Sequence, residues 1–246
     1  MFCSGIGAPE NASQAICKAL EHFLGGTVKQ KNLWACDVFA ESRYELQLLP
    51  DPPECIFEDI TDIIDQGIRL DLKKAAPRMA CGDLIRLFFD DDGLVRPVLS
   101  TTSWCSRHRR HCALKKARLH IAGTPCVAWA KLGLRCGATG ASALFFVWLA
   151  HRLMLKEDAI LHEHVPGFDV YLLNRFLGKD YIIMSCVVSN ASLGQLVERE
   201  RRFTWLLNRN VFQGHAAMPL SWGCDFLSLF HRELDASCAE FWDLSS

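Results

Sequence analysis

Three short segments carry residue types and spacings suited to chemistry. The first is Ala122-Gly123-Thr124-Pro125-Cys126, directly behind the compact apolar run 119–122. A Pro-Cys after a buried strand places a thiol on a stiff, exposed turn. Once ionised, which nearby positive charge or backbone donors favour, that thiol is a strong nucleophile; out of context the plainer reading of Cys126 is a structural thiol. The second is Leu161-His162-Glu163-His164-Val165, at the end of another apolar run. A carboxylic acid there can hydrogen-bond and protonate a ring nitrogen, or it is simply a solvated charge. The third is Glu198-Arg199-Glu200-Arg201-Arg202, ahead of an apolar strand. Alternation puts Arg199 and Arg201 on one face, and forked guanidinium groups suit carbonyl and phosphate oxygens. An edge-strand charge cluster is the plainer reading.

Three further signals suit ligand binding. Ser4-Gly5-Ile6-Gly7-Ala8-Pro9-Glu10 is a Gly-x-Gly turn between a strand stub and a helix, where glycines let the backbone approach a ligand. Asp37 ends a second apolar run, as a ribose acceptor or a helix N-cap. Asp59-Ile60 follows a third, and could hold an adenine amino group and ring face, or cap the next turn.

These segments need elements to position them. Residues 1–7 read as a strand stub with its turn, 11–23 as a helix opened by Pro9, and 33–38 as a strand. A helix over 39–49 stops before Pro50, and 55–57 is a short strand. Residues 119–122 form a buried strand ending at Gly123, and 141–156 a helix; 159–162, 181–188 and 203–207 are strands. Within 69–118, 84–89 is apolar, 90–93 is a turn, and 106–118 is strongly basic. Strand–helix alternation predicts an α/β fold with a largely parallel sheet, whose function collects at the carboxyl ends of the strands.

Composition bounds the partners. Among 246 residues, 50% hydrophobic and 22% charged, the formal net charge is −1. Any nucleic-acid surface must therefore come from local clustering of Lys and Arg. The best apolar stretch, 141–150, is too short to cross a bilayer, and no secretory segment is present, so the expectation is a soluble intracellular protein without a membrane partner. Twelve cysteines are present, none spaced C-x-x-C and none read as paired with His at zinc-finger spacing. The expectation is reduced, buried thiols and no metal site.

The order and placement of the six segments resemble one family, the DNA cytosine-5 methyltransferases, over roughly residues 2–209. Gly5-Ile6-Gly7 is similar to the family's first motif, Glu58-Asp59-Ile60 to its third, and Gly123-Thr124-Pro125-Cys126 to its catalytic motif. Glu163-His164-Val165 resembles the Glu-Asn-Val motif, and Arg199-x-Arg201, five residues after Gly194, the eighth. The resemblance implies a class-I S-adenosylmethionine-dependent methyltransferase fold, Rossmann-like. It implies S-adenosylmethionine as cofactor, with Ser4, Gly5, Ile6 and Gly7 near its methionine part and Asp37 on the ribose beside Val38. Asp59 and Ile60 would meet the adenine, with Leu144 as a further contact. The implied substrate is a cytosine flipped out of DNA. Cys126 would add to C6, Glu163 would protonate N3, and Pro125 would stiffen the turn. Arg199 would contact the cytosine carbonyl oxygen and Arg201 would steady the loop.

The chain also departs from the family. Val127, Trp129 and Ala130 replace a polar loop after the nucleophile; His164 stands for Asn, Val197 for Gln, and Val38 for a larger apolar group. The expected organisation is a catalytic domain over 1–210, with an insertion at about 69–118 and an unassigned tail over 211–246. Its first strand would be incomplete and no full target-recognition domain present, so a partner chain could complete the fold. The insertion carries Arg107, Arg109, Arg110, Lys115, Lys116 and Arg118, as a phosphate-binding surface or a solvated loop. The alternatives to DNA methylation are a catalytically inactive relative and an enzyme acting on transfer RNA; the nucleus is the implied compartment in a eukaryote. A dinucleotide oxidoreductase would leave Pro125-Cys126 and the arginines unexplained.

Overall fold

In a computed structural model the described residues are 8–75, 79–89, 99–126, 128–129, 142–193 and 198–212. The glycine turn at Ser4, Gly5, Ile6 and Gly7, the turn at 90–93 and the tail beyond 212 lie outside them.

Strands β1 (Trp34–Cys36) and β2 (Cys55–Phe57) pair in parallel and are buried on both faces. Continuous apolar runs fit that position, since neither face meets water. Trp34, Cys36, Cys55 and Phe57 point into the main core, while Ala35 and Ile56 pack on the opposite face against Leu46 of helix α2 (Ala40–Leu48). The alternation of a pleated strand thus serves two layers. Helix α1 (Ala8–Leu24) precedes β1, and α3 (Gln66–Ala75) and α4 (Cys81–Phe88) follow β2.

The basic insertion is folded rather than a solvated loop. Strands β3 (Thr102–Cys105) and β4 (Arg110–Ala113) form an antiparallel hairpin, and β3 pairs antiparallel with β2 through Phe57 and Cys105. The first sheet therefore runs β1-β2-β3-β4.

The second sheet runs β5-β6-β8-β7. Strand β5 (Leu119–Gly123) pairs in parallel with β6 (Ala159–His164), separated in sequence by helix α5 (Ala143–Leu155). After helix α6 (Val170–Leu177), β7 (Tyr181–Ser189) pairs antiparallel with β8 (Glu200–Asn208), which also pairs antiparallel with β6. The expectation of a largely parallel sheet is corrected: both sheets are mixed, because β3-β4 and β7-β8 turn back on themselves. Boundaries also move: β6 continues through Glu163 and His164, β8 begins at Glu200, and β1 is shorter than the expected 33–38. Polar residues extend these strands because the ladder satisfies their backbone whatever the side chain.

One core joins the sheets. It is centred on α5, whose Phe145, Phe146, Val147, Trp148 and Leu149 are all buried. The Trp34 indole of β1 donates to the Lys115 carbonyl (2.9 Å) and lies 5.5 Å from the His120 ring of β5. The end of α5 holds a fully buried ion pair, Arg152 with Glu157. The Glu157 carbonyl accepts from Tyr181 Oη (3.0 Å), which ties the turn after α5 to β7.

Candidate active site

The parallel pairing of β5 with β6 aligns the two sequence motifs. Gly123 stands opposite Glu163, so both strands end at the same sheet edge. The two are close: a Cβ at Gly123 would lie 3.0 Å from Glu163 Oε2, so a side chain there would make the carboxylate shift. The carboxylate thus lies across the strand that leads into Pro125 and Cys126. Cys126 is a half-buried free thiol.

The antiparallel register with β8 brings the arginine. Phe203 stands opposite Glu163, and Arg201 is two residues earlier on the same face. Its Nε donates to Glu163 Oε1 at 2.7 Å. Diagonal neighbours across a strand pair are within reach of long side chains, which is why this spacing works. Arg199 lies just before β8, exposed, and makes no ion pair among the described residues. Of the two arginines, Arg201 is the one paired with Glu163.

The turn carrying Cys126 is anchored from below. Thr124 is buried, with Oγ1 2.8 Å from His162 Nε2. The Trp129 amide donates to the Cys126 carbonyl (2.9 Å), closing a turn just after Cys126. Trp129 itself is buried against His164, Phe168 and Phe145. Trp129, one of the apolar residues read after Cys126, is thus an aromatic anchor for the turn. His164 is buried in this aromatic nest. Burial pushes its imidazole down to about 4, opposed by the Pro125 and Val165 backbone, which favours the charged ring. Neither ring nitrogen completes a well-formed hydrogen bond among the described residues. Burial likewise pushes His162 well below its ordinary range, so it meets Thr124 as a neutral ring.

The sequence reading singled out Arg199 and Arg201 for chemistry but gave no role to Arg202. Arg202 stands opposite His164, its Nε and Nη2 donating to the Pro166 carbonyl at 3.1 and 2.8 Å and its Nη1 to Ser185 Oγ at 3.2 Å. It clamps the chain leaving β6. Its place beside Arg201 in Arg199-Glu200-Arg201-Arg202 was the available signal.

The cofactor candidates gather at the carboxyl ends of β1 and β2. Asp37 is buried and accepts from the Phe39 amide at 3.0 Å; Val38 beside it is exposed. Asp59 accepts from the Thr61 amide at 2.8 Å and lies 3.5 Å from Arg69. Asp59 thus caps the 3-10 turn Ile60–Ile63, while Asp37 closes a local turn ahead of α2, whose N-cap is Phe39. Asp59 and buried Ile60 line a narrow crevice of about 10 Å³ with Trp34, Cys36, Phe57 and Ile63. Its wall is mostly apolar, with Asp59 as its one carboxylate. Leu144, in the first turn of α5, is half-buried against the core. Sequence reasoning missed Arg43, which links these loops. Its Nη1 donates to the Asp37 and Val38 carbonyls at 3.0 and 2.7 Å, and its Nη2 lies 4.0 Å from Glu58.

No protein-family model and no curated protein matches the chain. Solved structures do. The Dnmt2 methyltransferase of S. pombe superposes over 100% of this chain and 59% of its own, with TM-score 0.53 and 12% identity. A putative DNA modification methyltransferase of an E. coli prophage covers 85% of this chain and 46% of its own (TM-score 0.46, 15% identity). A Spodoptera frugiperda DNMT2 mutant covers 85% and 49% (TM-score 0.43, 14% identity). The first of these likenesses, with the mixed α/β sheets, shows the fold alone: that of class-I S-adenosylmethionine-dependent methyltransferases. The chain spans about three-fifths of the length of that S. pombe protein.

Proposed function

We propose that this chain is a catalytic unit that methylates C5 of cytosine in nucleic acid, with DNA the favoured substrate. The observation that carries the reading is the convergence of Glu163 and Arg201 on the strand end that leads into Pro125-Cys126. Six ordered sequence signals and the fold support it.

In this reading the target base leaves the stack to reach the site. The Cys126 thiolate adds to C6, forming the sulfur–carbon bond. Glu163 hydrogen-bonds N3 and delivers a proton there, so that the displaced electron pair makes C5 nucleophilic. Arg201 keeps the Glu163 carboxylate aimed, and Pro125 and the Trp129 anchor keep the thiol in place. Arg199, exposed beside the strand, contacts the base carbonyl oxygen. When bound, S-adenosylmethionine supplies the methyl group; Asp37, Asp59 and Ile60 would hold it, with Ser4, Gly5, Ile6, Gly7, Val38 and Leu144 as the remaining proposed contacts. Loss of the C5 proton and expulsion of Cys126 restore the aromatic ring. Residues 1–210 form the proposed catalytic unit.

The test is transfer of a labelled methyl group from S-adenosylmethionine to cytosine-containing DNA and, separately, transfer RNA. The expected result is label on DNA that Cys126→Ala abolishes and Cys136→Ala does not. Label only on transfer RNA would move the substrate. Cofactor binding without transfer to either would assign the chain to the inactive relatives.

A further inference from the structure

The hairpin that extends the first sheet gathers three thiols around one imidazole. Cys55 is on β2, Cys105 ends β3, Cys112 is on β4 and His108 is in the connecting turn. The His108 Nδ1 atom lies 3.7 Å from Cys55 Sγ, 3.5 Å from Cys105 Sγ and 3.5 Å from Cys112 Sγ. All four donor atoms lie within 4.8 Å of one another. Hydrogen bonding does not account for this convergence. A ring nitrogen carries either one lone pair or one proton, so it can satisfy one sulfur, not three.

A metal centre accounts for all three distances. With zinc–sulfur bonds of about 2.3 Å and zinc–nitrogen bonds of about 2.0–2.1 Å, a tetrahedron has sulfur–nitrogen edges of about 3.5–3.6 Å. The observed separations match those edges. We propose that Cys55, Cys105, His108 and Cys112 bind one zinc ion as a closed, structural Cys₃His site. Soft thiolates with one imidazole select zinc over hard cations, and four protein ligands leave no position for a reacting water.

The surrounding backbone is arranged for this. The Ile56 amide donates to Cys105 Sγ (3.4 Å), which stabilises a thiolate. The amide and hydroxyl of Ser106 both donate to the Ile56 carbonyl (2.8 and 3.0 Å), fixing the turn to β2. Arg109 adopts a positive φ of 51°, and its amide donates to the Cys105 carbonyl (2.8 Å), folding the turn so that His108 faces the sulfurs. The ion would lock a basic hairpin to the sheet: Arg107, Arg110 and Lys115 line the same exposed hollow as His108 and Cys112. This site stands independently of the proposed methyl transfer. It also replaces the expectation of no metal: Cys105-x₂-His108-x₃-Cys112 has ligand spacing, and strand pairing adds Cys55.

The experiment is metal analysis of the purified full chain, with its affinity measured against a chelator. About one zinc per chain is expected, with visible bands of tetrahedral thiolate coordination when cobalt replaces it. His108 is exposed, so His108→Ala should fold, change the cobalt spectrum and bind zinc at least about tenfold more weakly. Cys17→Ser and Cys126→Ser should retain full zinc. Because Cys105→Ser alters a fully buried position, thiol labelling of the unmutated chain provides a second reading. Cys55, Cys105 and Cys112 should resist alkylation until zinc is removed, while Cys126 reacts throughout. A folded, reduced chain that retains no zinc, full retention in His108→Ala, or a Cys105–Cys112 disulfide in fresh protein would each overturn the proposal.

Discussion

Removing the Arg201 guanidinium separates a role in chemistry from a role in holding the fold. Its ion pair with Glu163 is short, at 2.7 Å, but the side chains are 22% and 36% exposed. A pair that open to solvent stabilises by about 0.2–1 kcal/mol. Arg201→Ala should therefore lower Tm by no more than about 2–4 °C in a domain of this size. Its effect on turnover should be much larger. Losing one aimed, charged donor at a reacting centre typically costs about 10²–10³ in rate, or about 2.7–4 kcal/mol. Arg201→Lys should recover little, because an ammonium lacks the planar fork that meets the carboxylate at Nε. The assay is single-turnover methyl transfer alongside thermal unfolding, for Arg201→Ala, Glu163→Gln and the double variant. If Arg201 acts through Glu163, the double variant should be no slower than Glu163→Gln. Additive losses, or an Arg201→Ala rate within about threefold of the unmutated chain while Glu163→Gln is inactive, would refute this reasoning.

Three other outcomes follow from the same structure. Glu157→Ala leaves the fully buried Arg152 unpaired, which should cost about 3–5 kcal/mol and lower Tm by about 10 °C or more in calorimetry; replacing both residues by apolar ones should cost much less. Burial holds His120, His151, His162 and His164 below the ordinary histidine range, so their neutral forms belong to the fold. Each has a depressed folded-state pKa, so stability is greatest above the unfolded value of about 6.5 and is lost as pH falls below it, for His164 down to about 4. Each fully depressed histidine contributes about 1.4 kcal/mol per pH unit in that window, so denaturant midpoints should fall steeply between pH 7 and 5, and a flat profile would contradict the assignment. Arg43→Ala frees the loop bearing Asp37 and Val38, and should weaken S-adenosylmethionine binding about tenfold, roughly 1.4 kcal/mol, in a calorimetric titration.

Elements whose residues agree with both local pattern and burial were legible from sequence. Strand β2 was read at its full extent and β5 to within one residue, since a short apolar run between polar turns admits few alternatives. Helix α6 was missed: it has eight residues, and its main signal is Asp169, which caps the Tyr171 amide. The hairpin β3-β4 was hidden by its charges, because Arg110 and His111 lie on an exposed strand where apolar alternation is absent. Glu163 and Cys126 could be named from sequence, but the partner of Glu163 followed only from the β6-β8 register. The thiol cluster needed more still, since Cys55 meets Cys105 across strands fifty residues apart in the chain.

The most direct measurement is identification of the residue that becomes bonded to the base. The chain would be incubated with S-adenosylmethionine and DNA carrying 5-fluorocytosine, whose fluorine cannot leave as a proton does, then digested for mass spectrometry. The account predicts one modified peptide, bearing the methylated fluorinated nucleotide on Cys126, and no adduct in Cys126→Ala. An adduct on any other cysteine, or one that persists in Cys126→Ala, would contradict it.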